Sequence, residues 1–171
     1  MLAKPPPPRK KIYLAGGFRS NWQAQVISRL GGSFELLDPS AHNIQDPAEY
    51  TRWDLEAVRE SDIVLANMEA SNPGGYSLAL EVGFAKALGK RIFMVDQIED
   101  PSVRRYFEMV RQCSERVFPT LRPRATPDRA LAGADLPERE AVGVHPGGEP
   151  ELEKSVARPA TLDHVVETVG V

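Results

Sequence analysis

Short apolar runs alternate with amphipathic stretches along the first two thirds of the chain. Residues 12–15 (Ile-Tyr-Leu-Ala) are apolar and stop at Gly16-Gly17, the pattern of a buried strand entering a tight turn. Trp22, Val26, Ile27 and Leu30 then recur at helical spacing, and Gly31-Gly32 offers a left-handed cap to that helix. Residues 33–37 read as a second strand, and Asp38-Pro39-Ser40 turns the chain away. Asp46-Pro47 is an N-cap followed by proline at the first helical position. It predicts a helix to about Glu60, with Tyr50, Trp53, Leu55, Ala57 and Val58 as its contacts. Asp62 is a boundary residue before a third strand, residues 63–68. A polar, glycine-rich loop over residues 69–75 runs into a helix with apolar positions Leu78, Leu80, Val82, Phe84, Ala85 and Leu88. The pattern closes with a fourth strand over 91–95, a helix and a short fifth strand over 115–118. That last helix starts at Asp100-Pro101 and carries Val103, Phe107, Val110 and Cys113.

Strands and helices in alternation predict a parallel sheet covered on both faces, with right-handed crossovers. The expected fold is a flavodoxin-like three-layer α/β sandwich around a five-stranded, mainly parallel sheet of order 2-1-3-4-5. From Pro119 the character changes. Prolines recur at 123, 127, 137, 146, 150 and 159 among charge, glycine and alanine, a composition that buries little apolar surface. The expected organisation is a proline-rich leader (1–10), a catalytic domain (11–121), a flexible proline-rich segment (122–160) and a C-terminal helix (161–171) with Thr161 at its cap.

Composition narrows the classes. The 171 residues carry a formal net charge of -3 in mixed signs, which argues against broad nucleic-acid or anionic-membrane binding. One cysteine, Cys113, cannot form an internal disulfide, and His42, His145 and His164 lack metal-ligand spacing. No apolar run approaches the roughly 20 residues of a membrane span, and the N-terminus lacks the apolar centre of a signal peptide. A cytoplasmic protein with no metal and no cofactor is expected.

A sheet of this order binds ligands beyond the carboxyl ends of its strands, beside strands one and three. The loops there are Gly16–Ser20 and Glu69–Gly75. Both are glycine-rich and precede helices, so their N–H groups favour a phosphate or another anion. Arg19 and Ser20 add a charge and a hydroxyl. The same glycines serve equally as turn residues, and they do not form the G-x-G-x-x-G dinucleotide pattern. Glu81 stands near the beginning of the following helix. An acid in a first helical turn gains about 0.3–1 kcal/mol from the helix dipole; the alternative is a carboxylate nucleophile or base at the crevice. Tyr13 and Asp54 could converge on it, or serve as a core tyrosine and a solvated helix-face acid.

Three stretches extend this reading. Ile12-Tyr13-Leu-Ala-Gly16, Asp54-x7-Asp62-Ile-Val-Leu-Ala66 and Glu81-Val-Gly83-Phe-Ala85-x-Ala-Leu-Gly-Lys90 occur in that order. Together, over about residues 11–96, they resemble the nucleoside 2-deoxyribosyltransferase family, whose superfamily includes N-glycosidases that hydrolyse nucleoside 5′-monophosphates. The resemblance implies that Glu81 attacks C1′ of the sugar, that Tyr13 holds this nucleophile, and that Asp54 binds the sugar and assists proton transfer to the base. It implies a small-molecule nucleoside or nucleotide as substrate and a homo-oligomer, a dimer or higher. Where relatives place an aspartate or serine six residues before the nucleophile, this chain has Gly75. Asn72 or Ser77 would then take over that contact. Ser77, Arg19, Ser20 and the Gly16-Gly17 amides would hold a 5′-phosphate. Pro73-Gly-Gly-Tyr76 also resembles a loop of the cytokinin-activating phosphoribohydrolases, with Ser77 in place of the next glycine. A non-catalytic nucleotide-binding module of the same fold is the alternative from another class.

Overall fold

The computed structural model of the protein describes residues 8–71, 75–121 and residue 168. Five strands, β1 (Lys11–Gly16), β2 (Glu35–Leu37), β3 (Ile63–Met68), β4 (Arg91–Asp96) and β5 (Arg116–Phe118), form one sheet of order β2-β1-β3-β4-β5. Every neighbouring pair is parallel. The helices are α1 (Trp22–Leu30), α2 (Pro47–Glu60), α3 (Gly75–Ala87), α4 (Pro101–Tyr106) and α5 (Glu108–Cys113), with a 3-10 turn at Pro39–Ala41. The expected strand order and α/β class are those observed.

The core lies on both faces of the sheet, because alternate side chains of a strand point to opposite sides. Ile12 and Leu14 pack with Trp22, Val26 and Leu30 of α1. Tyr13 and Ala15 pack on the other face with Ala57 and Val58 of α2, Leu78, Val82 and Ala85 of α3, and Val110 of α5. All six residues of β3 are buried, as befits a central parallel strand. Each large apolar side chain fully buried in this way contributes about 1.5–3 kcal/mol.

Local chemistry fixes the element ends. Asp46 caps α2, its Oδ1 accepting from the Ala48 and Glu49 amides at 3.0 and 2.9 Å. Asp100 caps α4 by accepting from the Ser102 amide at 2.8 Å. Asp62 pins the entry of β3 to the start of β1, accepting from the Lys11 amide at 2.8 Å. At the other end of β1, Gly16 has φ +149, and a Cβ there would stand 2.7 Å from the Asn67 carbonyl oxygen. Only glycine leaves the strand at that angle beside β3.

Several details differ from the sequence expectations. α1 ends at Gly31, but that residue is right-handed (φ −59), and the chain turns by bonding the Ser33 and Phe34 amides to Leu30 O. Ile27, Leu80 and Leu88 are exposed rather than packed. The single helix expected after Asp100 is two, broken at Phe107 (φ −101, ψ 11). The Phe107 ring packs beneath the start of α3, where a Cβ on Gly75 would lie 2.8 Å from its Cζ. That tertiary contact overrides the local helical pattern. Residues 1–7, 72–74, 122–167 and 169–171 lie outside the described residues. Of the C-terminal helix expected over 161–171, only Thr168 is described; it is helical and accepts from Arg116 Nη1 at 3.0 Å. Among the described residues, no helix is long and apolar enough to cross a membrane.

Candidate active site

Three elements bring three side chains to one point. β1 delivers Tyr13, α2 delivers Asp54 and α3 delivers Glu81. The Tyr13 hydroxyl donates to Glu81 Oε1 at 3.1 Å across 68 residues of sequence. Asp54 interacts with the same hydroxyl and with Glu81. Tyr13 is fully buried and Glu81 only 8% exposed. α3 begins at Gly75, so Glu81 lies in its second turn, and no acid occupies the first. The first-turn dipole therefore does not account for its presence.

Burial dominates the electrostatics. It pushes the Glu81 carboxyl up to about 8; the Tyr13 hydrogen bond opposes this shift and the Asp54 charge adds to it. Burial also raises Asp54, while His42 and Tyr13 pull it down. Tyr13 is held far above the usual phenol range by burial and then by the two carboxylates, so its hydroxyl acts as a donor. Two acids that act on one phenol and on each other titrate as a coupled pair.

Glu81 and Asp54 line a cavity of about 660 Å³, within the range of small-molecule sites. Gly16, Gly17, Phe18 and Arg19 form one wall, and Ser77 and Leu78 open the α3 side. The facing wall is the loop after β2, with Ser40, His42, Asn43, Ile44 and Gln45, together with Tyr50 of α2. Sequence reasoning placed the crevice beside strands one and three; the described part of the loop after β3, residues 69–71, does not line it. The loop after β2 was missed. Its polar run between Asp38 and Asp46, joining a strand to a helix at the carboxyl end of the sheet, was the available signal.

His42 is the chief addition. Asp38 nucleates the 3-10 turn before it, accepting from the Ser40 amide at 2.9 Å. Asn43 then reverses the chain at φ 52. The His42 ring is set edge-on to Trp53, with centroids 4.5 Å apart, and its Nε2 faces Asp54 Oδ1 at 3.7 Å.

The remaining sequence candidates divide. Gly16, Gly17, Arg19 and Ser77 line the cavity. The Gly17 carbonyl is turned toward α1, accepting from Trp22 Nε1 and Gln23 Nε2 at 2.9 and 3.0 Å. Ser20 does not line the cavity; it donates its hydroxyl to the buried carboxylate of Glu69. Gly75 faces Phe107 and Met68, away from the cavity. Asn72 lies outside the described residues.

The family model described as nucleoside 2-deoxyribosyltransferase like matches residues 9–98, just over half of the chain. Among solved structures, the chain is similar to a 2-deoxyribosyltransferase from the psychrotolerant bacterium Bacillus psychrosaccharolyticus. The identity is 20%, covering 63% of this chain and 85% of that one, with a TM-score of 0.51. That likeness bears on the fold alone. A 2-desoxiribosyltransferase from Leishmania mexicana shares 23% identity over 57% of this chain and 71% of that one (TM-score 0.47). A CMP N-glycosidase from Clostridium botulinum shares 19% over 64% and 89% (TM-score 0.45). None of the curated proteins gives a match.

Proposed function

The chain belongs to the nucleoside 2-deoxyribosyltransferase-like family, and from that membership we propose that it cleaves the N-glycosidic bond of a nucleoside or nucleoside 5′-monophosphate. The observation that carries the reading is the 3.1 Å hydrogen bond from Tyr13 to Glu81, with Asp54 beside the same hydroxyl on the wall of a ligand-sized cavity. Glu81 attacks C1′ as the base departs, and the charge building at that carbon is captured as a glycosyl ester. Tyr13 holds Glu81 through its hydroxyl. Asp54 binds the sugar and hands a proton to the leaving base. Water or a second base then takes the sugar, so hydrolysis and base exchange share the first half-reaction.

A 5′-phosphate fits the Gly16-Gly17 turn, Arg19 and Ser77. Ser20 contributes less than the sequence suggested, because Glu69 already occupies its hydroxyl. The protein is a homo-oligomer in this reading. Tyr76, Leu80, Tyr106 and Met109 are 86, 59, 86 and 81% exposed on α3, α4 and α5, and an interface would cover such side chains.

A panel of nucleosides and nucleoside 5′-monophosphates, incubated with and without a second free base, tests the assignment. Free base from the panel supports a hydrolase, and a new nucleoside supports a transferase. Binding without base release would replace the enzyme with a nucleotide-binding module. Light scattering on the same sample gives the oligomeric state.

A further inference from the structure

His42 Nε2 and Asp54 Oδ1 face each other at 3.7 Å, and neither atom has a hydrogen-bond partner among the described residues although both are buried. The imidazole has little freedom. Its Nδ1 accepts from the Ile44 amide at 3.0 Å, and its face is fixed edge-on against Trp53. An Nδ1 that accepts leaves the hydrogen of a neutral ring on Nε2. That N–H is aimed at Asp54. A buried donor and a buried acceptor left unbonded both lose their hydration without return. Closing the gap by about 0.8 Å would form the bond, and contacts of this kind commonly tighten when substrate is bound.

From this geometry we infer that His42 is a positioning residue that acts through Asp54. It claims Oδ1, fixes the rotation of the carboxylate and leaves the rest of that group to the Tyr13 hydroxyl and the substrate. Asp54 is then held between a donor on the loop after β2 and the Tyr13–Glu81 pair on β1 and α3. The loop after β2 is thereby part of the chemistry and not only a wall. The inference rests on the glycosidic reading above and adds to it a side chain that does not itself touch the reacting atoms.

Base release, as kcat/KM, is measured for the wild type, His42→Phe, His42→Gln, Asp54→Asn and the double variant His42→Phe/Asp54→Asn. Phenylalanine keeps a ring against Trp53 but carries no nitrogen, whereas glutamine can place an N–H where Nε2 stands. His42→Phe is expected to lose about tenfold, with most of it restored in His42→Gln. In the Asp54→Asn background the histidine substitution should cost nothing further, since coupled residues are not additive. For a nitrophenyl glycoside, whose leaving group departs without a proton, His42→Phe should lose clearly less than the tenfold expected with nucleotides, because only the sugar-binding part of the Asp54 role is then affected. Losses that multiply in the double variant, equal losses on both kinds of substrate, or a glutamine that restores nothing would each overturn the inference while the glycosidic reading stands. A wild type inert on every nucleoside, nucleotide and nitrophenyl glycoside overturns both. If His42→Phe does not fold, His42→Asn replaces it, since its shorter amide reaches only the Nδ1 position.

Discussion

The Tyr13 hydroxyl donates to Glu81 Oε1 at 3.1 Å and the Asp54 charge acts on both, so a phenol from β1 and carboxylates from two helices form one electrostatic unit. Removing the bond without removing the ring isolates its contribution. Tyr13→Phe should lower kcat/KM by about 10²-fold at neutral pH, the scale of a misplaced reacting group. It should also raise the Glu81 carboxyl further, because this hydrogen bond is what opposes burial there. Steady-state kinetics across pH reads both effects.

Glu81→Gln keeps the shape and removes the nucleophile. Base release should fall below detection while the protein stays folded. Its stability carries a sign. The folded-state carboxyl is raised to about 8 from its ordinary 4.5, so between those values the native state holds a proton that the unfolded state has lost. Wild-type stability therefore declines as pH rises through that window. The glutamine variant lacks this decline and should be the more stable protein near pH 8, on the order of a few kcal/mol, with the gap closing toward pH 4.5. Urea titrations at the two ends give the comparison. A gap that widens on acidification would contradict the burial argument.

The paired acids predict opposite pH slopes for two substrates. Release of a base that must be protonated uses the form of the pair with one proton, and that form is lost as Glu81 titrates at about 8. kcat/KM should then fall about tenfold per unit above that pH. A nitrophenyl glycoside needs only ionised Glu81, so its kcat/KM should rise toward pH 8 and level off. Slopes of the same sign would remove Asp54 from the role of acid.

Gly75 and Phe107 form a separate unit. A Cβ at Gly75 would stand 2.8 and 3.0 Å from Phe107 Cζ and Cε1 and 3.4 Å from Met68 Sδ. Gly75→Ser should thus cost about 1–3 kcal/mol by overpacking, and part of that should return in Gly75→Ser/Phe107→Leu. Denaturant melts of the single and double variants check the coupling. An innocuous serine would mean that the ring moves aside at no cost.

Much of the fold was legible in the sequence because local rules sufficed. Apolar runs of strand length, the Asp-Pro starts at Asp46 and Asp100, and strand–helix alternation fix the elements and a parallel sheet, while the expected order 2-1-3-4-5 rested on the flavodoxin-like fold and is the one observed. Glu81, Tyr13 and Asp54 could be named as candidates, and the ordered motifs gave them proposed roles. Their convergence was open to the sequence only as one of two readings and as what the resemblance implied, since it depends on three elements closing around one buried hydroxyl. The break at Phe107 escaped because it is set by a ring packed under Gly75, a contact that helical spacing does not encode. The tie between Ser20 and Glu69 spans 49 residues, and His42 stood in the sequence as one of three scattered histidines. Sequence by itself determined which residue types lie on which strand or helix, because periodicity and capping are local. Only the tertiary structure decided which of them face one cavity and with what hydrogen bonds, because those distances depend on how separate elements pack.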